Sequence, residues 1–437
     1  MFFKDCLGVV GWDSIEPTVL IALAEDVRVC FVGNHGSSKT SVCQRLAMAL
    51  HNVEVKFQRY DTPNVKHDEI FGITNVKALT EGRYEFVKHP QSVWGKEVIL
   101  WSEINRPNPM MQSKLNELLL EGTLHGAPTK VKWQFADANP SAKYEAYYLQ
   151  PQLAARLFFI DVPNPNVTML AEMLSNTDKY DVFQEVTCSD PEERKQLVKE
   201  RNNKIKKQVG PLGIFFQELV HAKITDADRK FALEVTTSAM RAMNSDQNGE
   251  TFQLSLREGK RMFNMLARAC AYIRLAKIDP ASMLGIAEQI VVGHIPHAHG
   301  MLAKSYDWAS VVGDVRVTVT KTLDSNPTVA LMNNTDPINI IIAMRRDLRA
   351  GPLEVDHLKS SLAGHTPDDH IRYLRFLSKR AVHPDKALDV VERVARVIAN
   401  SAALSWPNLN FDSKICWSDV DSVTRNTVDT FKLNNGL

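Results

Sequence analysis

The sequence predicts an α/β fold: a core with a parallel sheet flanked by helices, then an α-helical region, then a mainly helical C-terminal domain. Three observations carry this. Short apolar runs rich in β-branched and aromatic residues recur early, VRVCFV at 27–32, VILW at 98–101 and VKWQFADAN at 131–139, and such runs read as buried strands of a parallel sheet. The first of them is followed by SVCQRLAMALH, where Val42, Leu46 and Leu50 fall at helical spacing. Beyond Asp161-Val162-Pro163-Asn164-Pro165, a proline-marked exit, the pattern is helical. The expected division is a core over 1–165, a helical lid over 166–303 and an accessory domain over 304–437.

Composition sets the outer bounds. The chain has 437 residues, 44% hydrophobic and 24% charged, which is ordinary for globular protein and enough for two or three domains. The net charge of +1 gives no general attraction to nucleic acid or anionic membrane. Six scattered cysteines, Cys6, Cys30, Cys43, Cys188, Cys270 and Cys416, form no C-x-x-C pair and suit a reducing compartment. The apolar stretch before residue 33 is broken by Glu25, Asp26 and Arg28, so it does not span a bilayer, and the N-terminus has no signal-peptide run. A cytoplasmic location is expected.

The segment FVGNHGSSKT, Phe31–Thr40, joins the first strand to the first long helix. Its pattern approaches G-x-x-x-x-G-K-[ST], a loop that cradles phosphate with backbone N–H groups at a helix N-terminus. Gly33, Asn34, His35, Gly36, Ser37, Ser38, Lys39, Thr40 and Ser41 are the expected nucleotide contacts. Lys39 reaches the terminal phosphates and the Thr40 hydroxyl binds Mg²⁺. Ser38 occupies the place of the second glycine and is small enough for the loop provided its φ is negative.

Two further strands end on polar residues. VILW is followed by Ser102 and Glu103, and a carboxylate at the carboxyl end of a parallel strand is placed to orient and deprotonate an attacking water. The third strand ends at Asn139, whose amide can position that water. Read alone, Asn139-Pro140 is equally a turn former.

Together these residues resemble the AAA+ ATPases, specifically the MoxR branch. That branch has a strand ending D-E-I-N-R-A, here Ser102-Glu103-Ile104-Asn105-Arg106-Pro107; a Q-S-A-L-L-E helix, here beginning Gln112-Ser113-Lys114-Leu115; a strand ending A-T-x-N-P, here Ala136-Asp137-Ala138-Asn139-Pro140; and an L-P-E-A-Q-L-D-R-F element, here Leu149 to Phe158. The likeness covers about residues 1 to 300, with the motifs in order at the right spacings. MoxR loops often carry alanine just before the lysine, so Ser38 is a modest departure. A similar pattern occurs in the ATPase subunit of cobaltochelatase, whose loop can carry histidine where His35 stands.

The resemblance implies roles. Glu103 corresponds to the Walker B glutamate, Asn139 to sensor 1, Arg156 to an arginine finger acting on a neighbouring subunit's nucleotide, and Arg257 to a lid arginine reaching the γ-phosphate in cis. Arg106 is a further candidate for reaching across the subunit boundary. The Walker B aspartate is replaced by Ser102, a neutral and weaker ligand for Mg²⁺, so ATP binding is expected and rapid hydrolysis is not. The resemblance further implies a homo-oligomeric ring, a hexamer, and a partner with a von Willebrand factor A domain, for a remodelling or chaperone-like ATPase. The alternatives are a nucleotide-gated scaffold with weak hydrolysis and a DNA-processing ATPase, which the near-neutral charge disfavours.

Other segments are read more simply. Residues 82–87 are expected to form a hairpin inside the insert HDEIFGITNVKALTEGRYEFVKHPQSVWG, and TLHGAPTKVKW a second hairpin; in the MoxR branch such an insert faces the ring's centre. PEERKQLVKERNNKIKKQVG carries seven Lys or Arg and three Glu and reads as a solvated helix. Ser255 and Glu258 form a capping box. His294, His297 and His299 are read as structural rather than metal-binding. ASVVGDVRVTVTKTL fits either a strand pair or a helix, and residues 367–406 are helical.

Overall fold

The computed structural model describes residues 2–83, 85–87, 91–107, 109–124, 127–139, 147–164, 166–175, 181–244, 254–302, 306–325, 336–346, 348, 350–379, 381, 383–405, 410–411, 415–416 and 420–437. Tyr84, the hairpin tip at 125–126, Pro140 and Pro165 lie outside the described residues. The chain divides into two compact units, one of residues 1–278 and 282–319 and one of residues 320–437 with 279–281. The expected core and all of the expected lid but residues 279–281 fall in the first, and the expected accessory domain is divided at Val319.

The first unit begins with α1 (Phe2–Leu7), α2 (Glu16–Ala24), β1 (Val29–Val32), α3 (Lys39–Leu50), β2 (Phe57–Asp61), α4 (His67–Phe71), β3 (Ile73–Thr74), α5 (Val76–Thr80) and β4 (Phe86–Val87). It continues through β5 (Val98–Ser102), α6 (Pro109–Glu121), β6 (Thr123–Leu124), β7 (Ala127–Pro128), β8 (Trp133–Ala138), α7 (Pro151–Ala154), β9 (Phe158–Asp161) and α8 (Val167–Ser175). Five strands form one sheet in the order β2-β5-β8-β1-β9, every neighbouring pair parallel. β1 and β5 are buried along their whole length, so both sheet faces are covered, as parallel sheets require. Phe31 packs on Phe135 and Trp12 on one face, Tyr60 on Trp101 on the other. Each fully buried aromatic contributes roughly 2–3 kcal/mol.

The insert departs from expectation. Gly82 does not turn a hairpin; it follows α5 with φ +75°, and the antiparallel pairing is β3 with β4, Ile73 opposite Val87. The helix α5, capped by Asn75 through the Ala78 N–H, lies in the connection between β3 and β4, so the paired strand is further upstream than the reading over 82–87 placed it. The second hairpin is present as β6 and β7.

The remaining helices of this unit are α9 (Pro191–His221), α10 (Asp226–Met243), α11 (Leu256–Ala276) and α12 (Ser282–Val292). α9 contains the basic segment, and its Asp190 cap accepts from the Glu192 and Glu193 N–H groups. The Ser255–Glu258 capping box starts α11. α13 (Trp308–Ser325) is a helix, not a strand pair: Val311, Val315 and Val319 are buried at four-residue spacing, so helical periodicity outweighs β propensity.

The second unit is built from α14 (Pro337–Arg346), α15 (Pro352–Leu362), α16 (Pro367–Leu377), α17 (Pro384–Ser405), the short strands β10 (Asn410–Phe411) and β11 (Ile415–Cys416), and α18 (Val420–Asn435). Its core gathers Ile340, Met344, Leu358, Leu374, Val391 and Phe431. No described helix is long and apolar enough to cross a membrane.

Candidate functional site

The loop after β1 lies at the carboxyl edge of the sheet, beside the ends of β5 and β8. The Gly33 N–H donates to the Ala138 carbonyl at 3.1 Å, which ties the loop to β8. A side chain at Gly33 would place its Cβ 3.2 Å from Val162 Cβ, so packing against β9's exit favours glycine there. Gly36 adopts φ +81° with open space around it. Ser38 adopts φ +61°, ψ 15°, which corrects the expectation of a negative φ: this position demands the left-handed backbone that glycine takes at no steric cost, and a serine holds it. Ser38 is the N-cap of α3 yet makes no side-chain cap bond, so side-chain capping does not compete with an anion for the first-turn N–H groups.

Lys39 is buried and folded back onto the loop. Its Nζ donates to the Gly33 carbonyl at 2.7 Å, the Asn34 carbonyl at 2.9 Å and Ser37 Oγ at 3.3 Å. Burial pulls its pKa down, and Asp137 pulls it back up. Loop residues 35–41 line a cavity of about 250 Å³ together with Arg59, Ser102, Glu103, Asp137 and Asn139. Lys39, Thr40, Ser102, Glu103 and Asn139 are therefore brought together as expected from their strand-end positions.

Glu103 follows β5 with φ +57°, an uncommon backbone for a non-glycine residue. Its Oε1 accepts from Asn139 Nδ2 at 3.1 Å, and its Oε2 pairs with Arg106 at 3.0 Å. Arg106 is thus engaged by the glutamate of its own chain. Thr62 Oγ1 donates to the carbonyls of Ser102 and Glu103, both at 2.9 Å, fixing the strand end.

Two pocket residues were not anticipated. Asp137, buried on β8, accepts from the Glu103 N–H at 2.9 Å through Oδ1 and from Ser102 Oγ at 3.1 Å through Oδ2. Burial raises its pKa, opposed first by the Glu103 N–H and then by Lys39. Arg59 on β2 donates to Ser102 Oγ at 3.1 Å. The Ser102 hydroxyl expected to touch Mg²⁺ therefore already serves a guanidinium and a carboxylate. A hard divalent cation needs oxygen ligands, best anionic ones, and the pocket offers the Thr40 hydroxyl and the Asp137 carboxylate, each Asp137 oxygen with one hydrogen bond assigned. The donor set fits Mg²⁺.

Arg156 and Arg257 do not line this cavity. Arg156 lies on the turn between α7 and β9, and Arg257 at the exposed start of α11 is close enough to depress its pKa after burial has done so. Arg257, the residue expected to reach the γ-phosphate in cis, stands beside the Arg156 turn at the start of α11. Arg261, one turn further along α11, donates to the carbonyls of Ala155 at 3.1 Å and Arg156 at 3.2 Å. Burial brings its pKa down to about 10.

The three histidines after α12 do not converge. His294 meets the Ile290 carbonyl at 2.7 Å, while His299 meets Asp161 at 2.9 Å and the Val292 carbonyl at 3.2 Å. Burial drives the His294 pKa down to about 3. Among the described residues no group of three or more His, Cys, Asp or Glu could hold a metal ion.

Residues 28–177 match the family described as AAA domain (dynein-related subfamily). Over residues 28–177 the chain has the α/β fold of an AAA+ core. The matched span holds β1, the phosphate loop, Glu103, Asn139 and Arg156. No curated protein matches the chain in sequence. Among solved structures, the chain is similar to a proposed ATPase from Cytophaga hutchinsonii, at 18% identity and TM-score 0.47 over 73% of this chain and 92% of that one. It is also similar to a full-length MCM homolog from Methanopyrus kandleri, at 12% identity and TM-score 0.39 over 68% of this chain and 58% of that one. With TM-scores below 0.5, both are distant likenesses only.

Proposed function

We propose that this chain is an ATP-hydrolysing remodelling ATPase of the MoxR type that assembles as a ring, a hexamer, with nucleotide held at the subunit boundaries. The observation that carries this is a division of labour. Lys39, Thr40, Glu103 and Asn139 converge on one cavity, while Arg156 and Arg257 sit away from it. A pair of arginines kept off its own pocket suits a neighbouring subunit's γ-phosphate, since a fixed charge and a planar fork match phosphate oxygens.

In this reading the phosphates of ATP settle on the N–H groups at the start of α3 and Lys39 exchanges its loop carbonyls for phosphate oxygen. Glu103, freed from Arg106, takes the proton of the attacking water, and Asn139 orients that water. The Thr40 hydroxyl would help to hold Mg²⁺, which would supply charge neutralisation to the phosphates. The insert carries Ile73, Val76, Leu79 and Val87, each at least half exposed, a surface suited to a protein partner. A partner with a von Willebrand factor A domain, and a cytoplasmic setting, belong to the same reading.

A nucleotide-gated scaffold is the second reading, favoured by one feature: both Glu103 oxygens are engaged, by Asn139 and Arg106. Steady-state turnover separates the two. Wild type should hydrolyse ATP, and Glu103→Gln should lose roughly 100-fold or more, the usual reach of a general base. Equal rates for the two would refute the hydrolytic reading. Mixing Arg156→Ala with Glu103→Gln subunits tests the trans role: two chains inactive alone should recover part of the turnover together.

A further inference from the structure

β5 and β8 are parallel neighbours, with Leu100 opposite Phe135 and Trp101 opposite Ala136. The next pair in register is Ser102 with Asp137. Side chains at paired positions point to the same sheet face, and neighbouring strands lie about 4.8 Å apart. A carboxylate carried by β8 at this level therefore serves nearly the same space as one carried by β5. Where the resembling ATPases have aspartate on β5 and threonine on β8, this chain has Ser102 on β5 and Asp137 on β8. Carboxylate and hydroxyl are both kept, and they have changed strands.

The surroundings agree. Asp137 is 4% exposed, and a carboxylate is seldom buried so deeply without a counter-charge or a ligand to justify it. Among the described residues Asp137 makes no direct ion pair; the Lys39 and Arg59 charges act on it only from further off, and its hydrogen bonds come from a hydroxyl and a backbone N–H. The other carboxylate of the cavity, Glu103, is already paired with Arg106. Ser102 receives from Arg59 and donates to Asp137, so the chain Arg59–Ser102–Asp137 fixes the carboxylate's orientation.

We propose that Asp137 is the carboxylate that holds the divalent cation of the bound nucleotide, with Ser102 and Arg59 as its positioning residues. This rests on the nucleotide-binding reading above. It removes the expectation that Ser102 leaves the site deficient: the anionic oxygen has moved one strand, and the site is complete.

The test is binding of a fluorescent ADP analogue, mant-ADP, to the full chain with Mg²⁺ and with EDTA, together with Mn²⁺ binding followed by electron paramagnetic resonance in the presence of ADP. In wild type, Mg²⁺ should tighten mant-ADP by about tenfold or more, as expected when a cation bridges phosphate and carboxylate. Asp137→Asn should keep binding in EDTA but reduce that gain to about twofold or less, and should lose the ADP-dependent Mn²⁺ signal. The exchanged double variant Ser102→Asp with Asp137→Ser should restore both, and it covers the case in which Asp137→Asn misfolds. An undiminished Mg²⁺ gain in Asp137→Asn, or a folded exchanged variant without that gain, would overturn the assignment. Wild type that binds no mant-ADP under either condition would sink the nucleotide reading itself.

Discussion

Ser38 provides a sharp test of the loop geometry. Its φ of +61° puts it in the left-handed region, where a residue with a Cβ carries roughly 1–2 kcal/mol of strain. The side chain is exposed and makes no cap bond, so changing it alters backbone preference and little else. Ser38→Gly removes the strain but frees the unfolded chain by roughly 0.5–1 kcal/mol. The net is a stability unchanged or raised by up to about 1 kcal/mol. Ser38→Val places a β-branched side chain in the same backbone and should cost about 1 kcal/mol or more. The order of stability, Gly at least equal to Ser and both above Val, is measurable by urea unfolding followed through tryptophan fluorescence. An ordinary helical φ would reverse it, because glycine is then the worst of the three by about 0.5 kcal/mol or more. Finding Gly below Val would refute the left-handed assignment. Mant-ADP affinity should follow the same order, since a strained loop binds phosphate from a smaller populated fraction.

Three further outcomes follow from the first unit. His294 has a folded pKa of about 3, below the unfolded value near 6.5; the unfolded chain binds the proton first, so stability present at neutral pH is lost as pH falls through 6.5. Between pH 7 and pH 5 this amounts to about 2 kcal/mol, and urea midpoints of wild type and His294→Asn at the two pH values should show the difference shrinking in the variant. Arg268, about one-eighth exposed, pairs with Glu25 at 2.6 Å and donates to the carbonyls of Leu219, Val220 and Ala222 at the end of α9; Arg268→Ala should cost about 3–5 kcal/mol, and an urea midpoint within experimental scatter of wild type would contradict this. Arg261 supports the turn that carries Arg156, so Arg261→Gln should lower ATP turnover about ten- to hundredfold while mant-ADP affinity stays within about twofold, a split that a generally damaged protein would not give.

Much of this was legible because the chemistry depends on short-range pattern. β1, β5 and β8 are brief apolar runs with both faces covered, and a polar residue directly after such a run is carried to the sheet edge by strand geometry alone. Glu103 and Asn139 meet for that reason, and the loop after β1 brings Lys39 to the same edge. What was not legible depends on contacts between elements distant in sequence. Arg59 reaches Ser102 on the neighbouring strand, 43 residues on in sequence, and Arg257 comes to rest beside Arg156 because α11 docks there; neither is encoded in local periodicity. The left-handed backbone at Ser38 was hidden by its residue type, since a small polar side chain is compatible with either sign of φ.

Asp137 is a different case, because its signal was present in the sequence. Taken one strand at a time against the MoxR pattern that the chain resembles, Ser102 looks like a lost ligand and Asp137 like an idle substitution for a threonine. In a parallel sheet the two positions are lateral neighbours, and the Ser102–Asp137 hydrogen bond at 3.1 Å joins them. The register of β5 against β8 places the hydroxyl and the carboxylate side by side on one sheet face. Their combined effect should be non-additive, as for any pair in direct contact: Ser102→Asp alone would set two carboxylates about one strand spacing apart in a buried site and weaken folding, while the exchanged double variant should not. A single variant as stable as wild type would mean that the two positions do not share one cation-binding space.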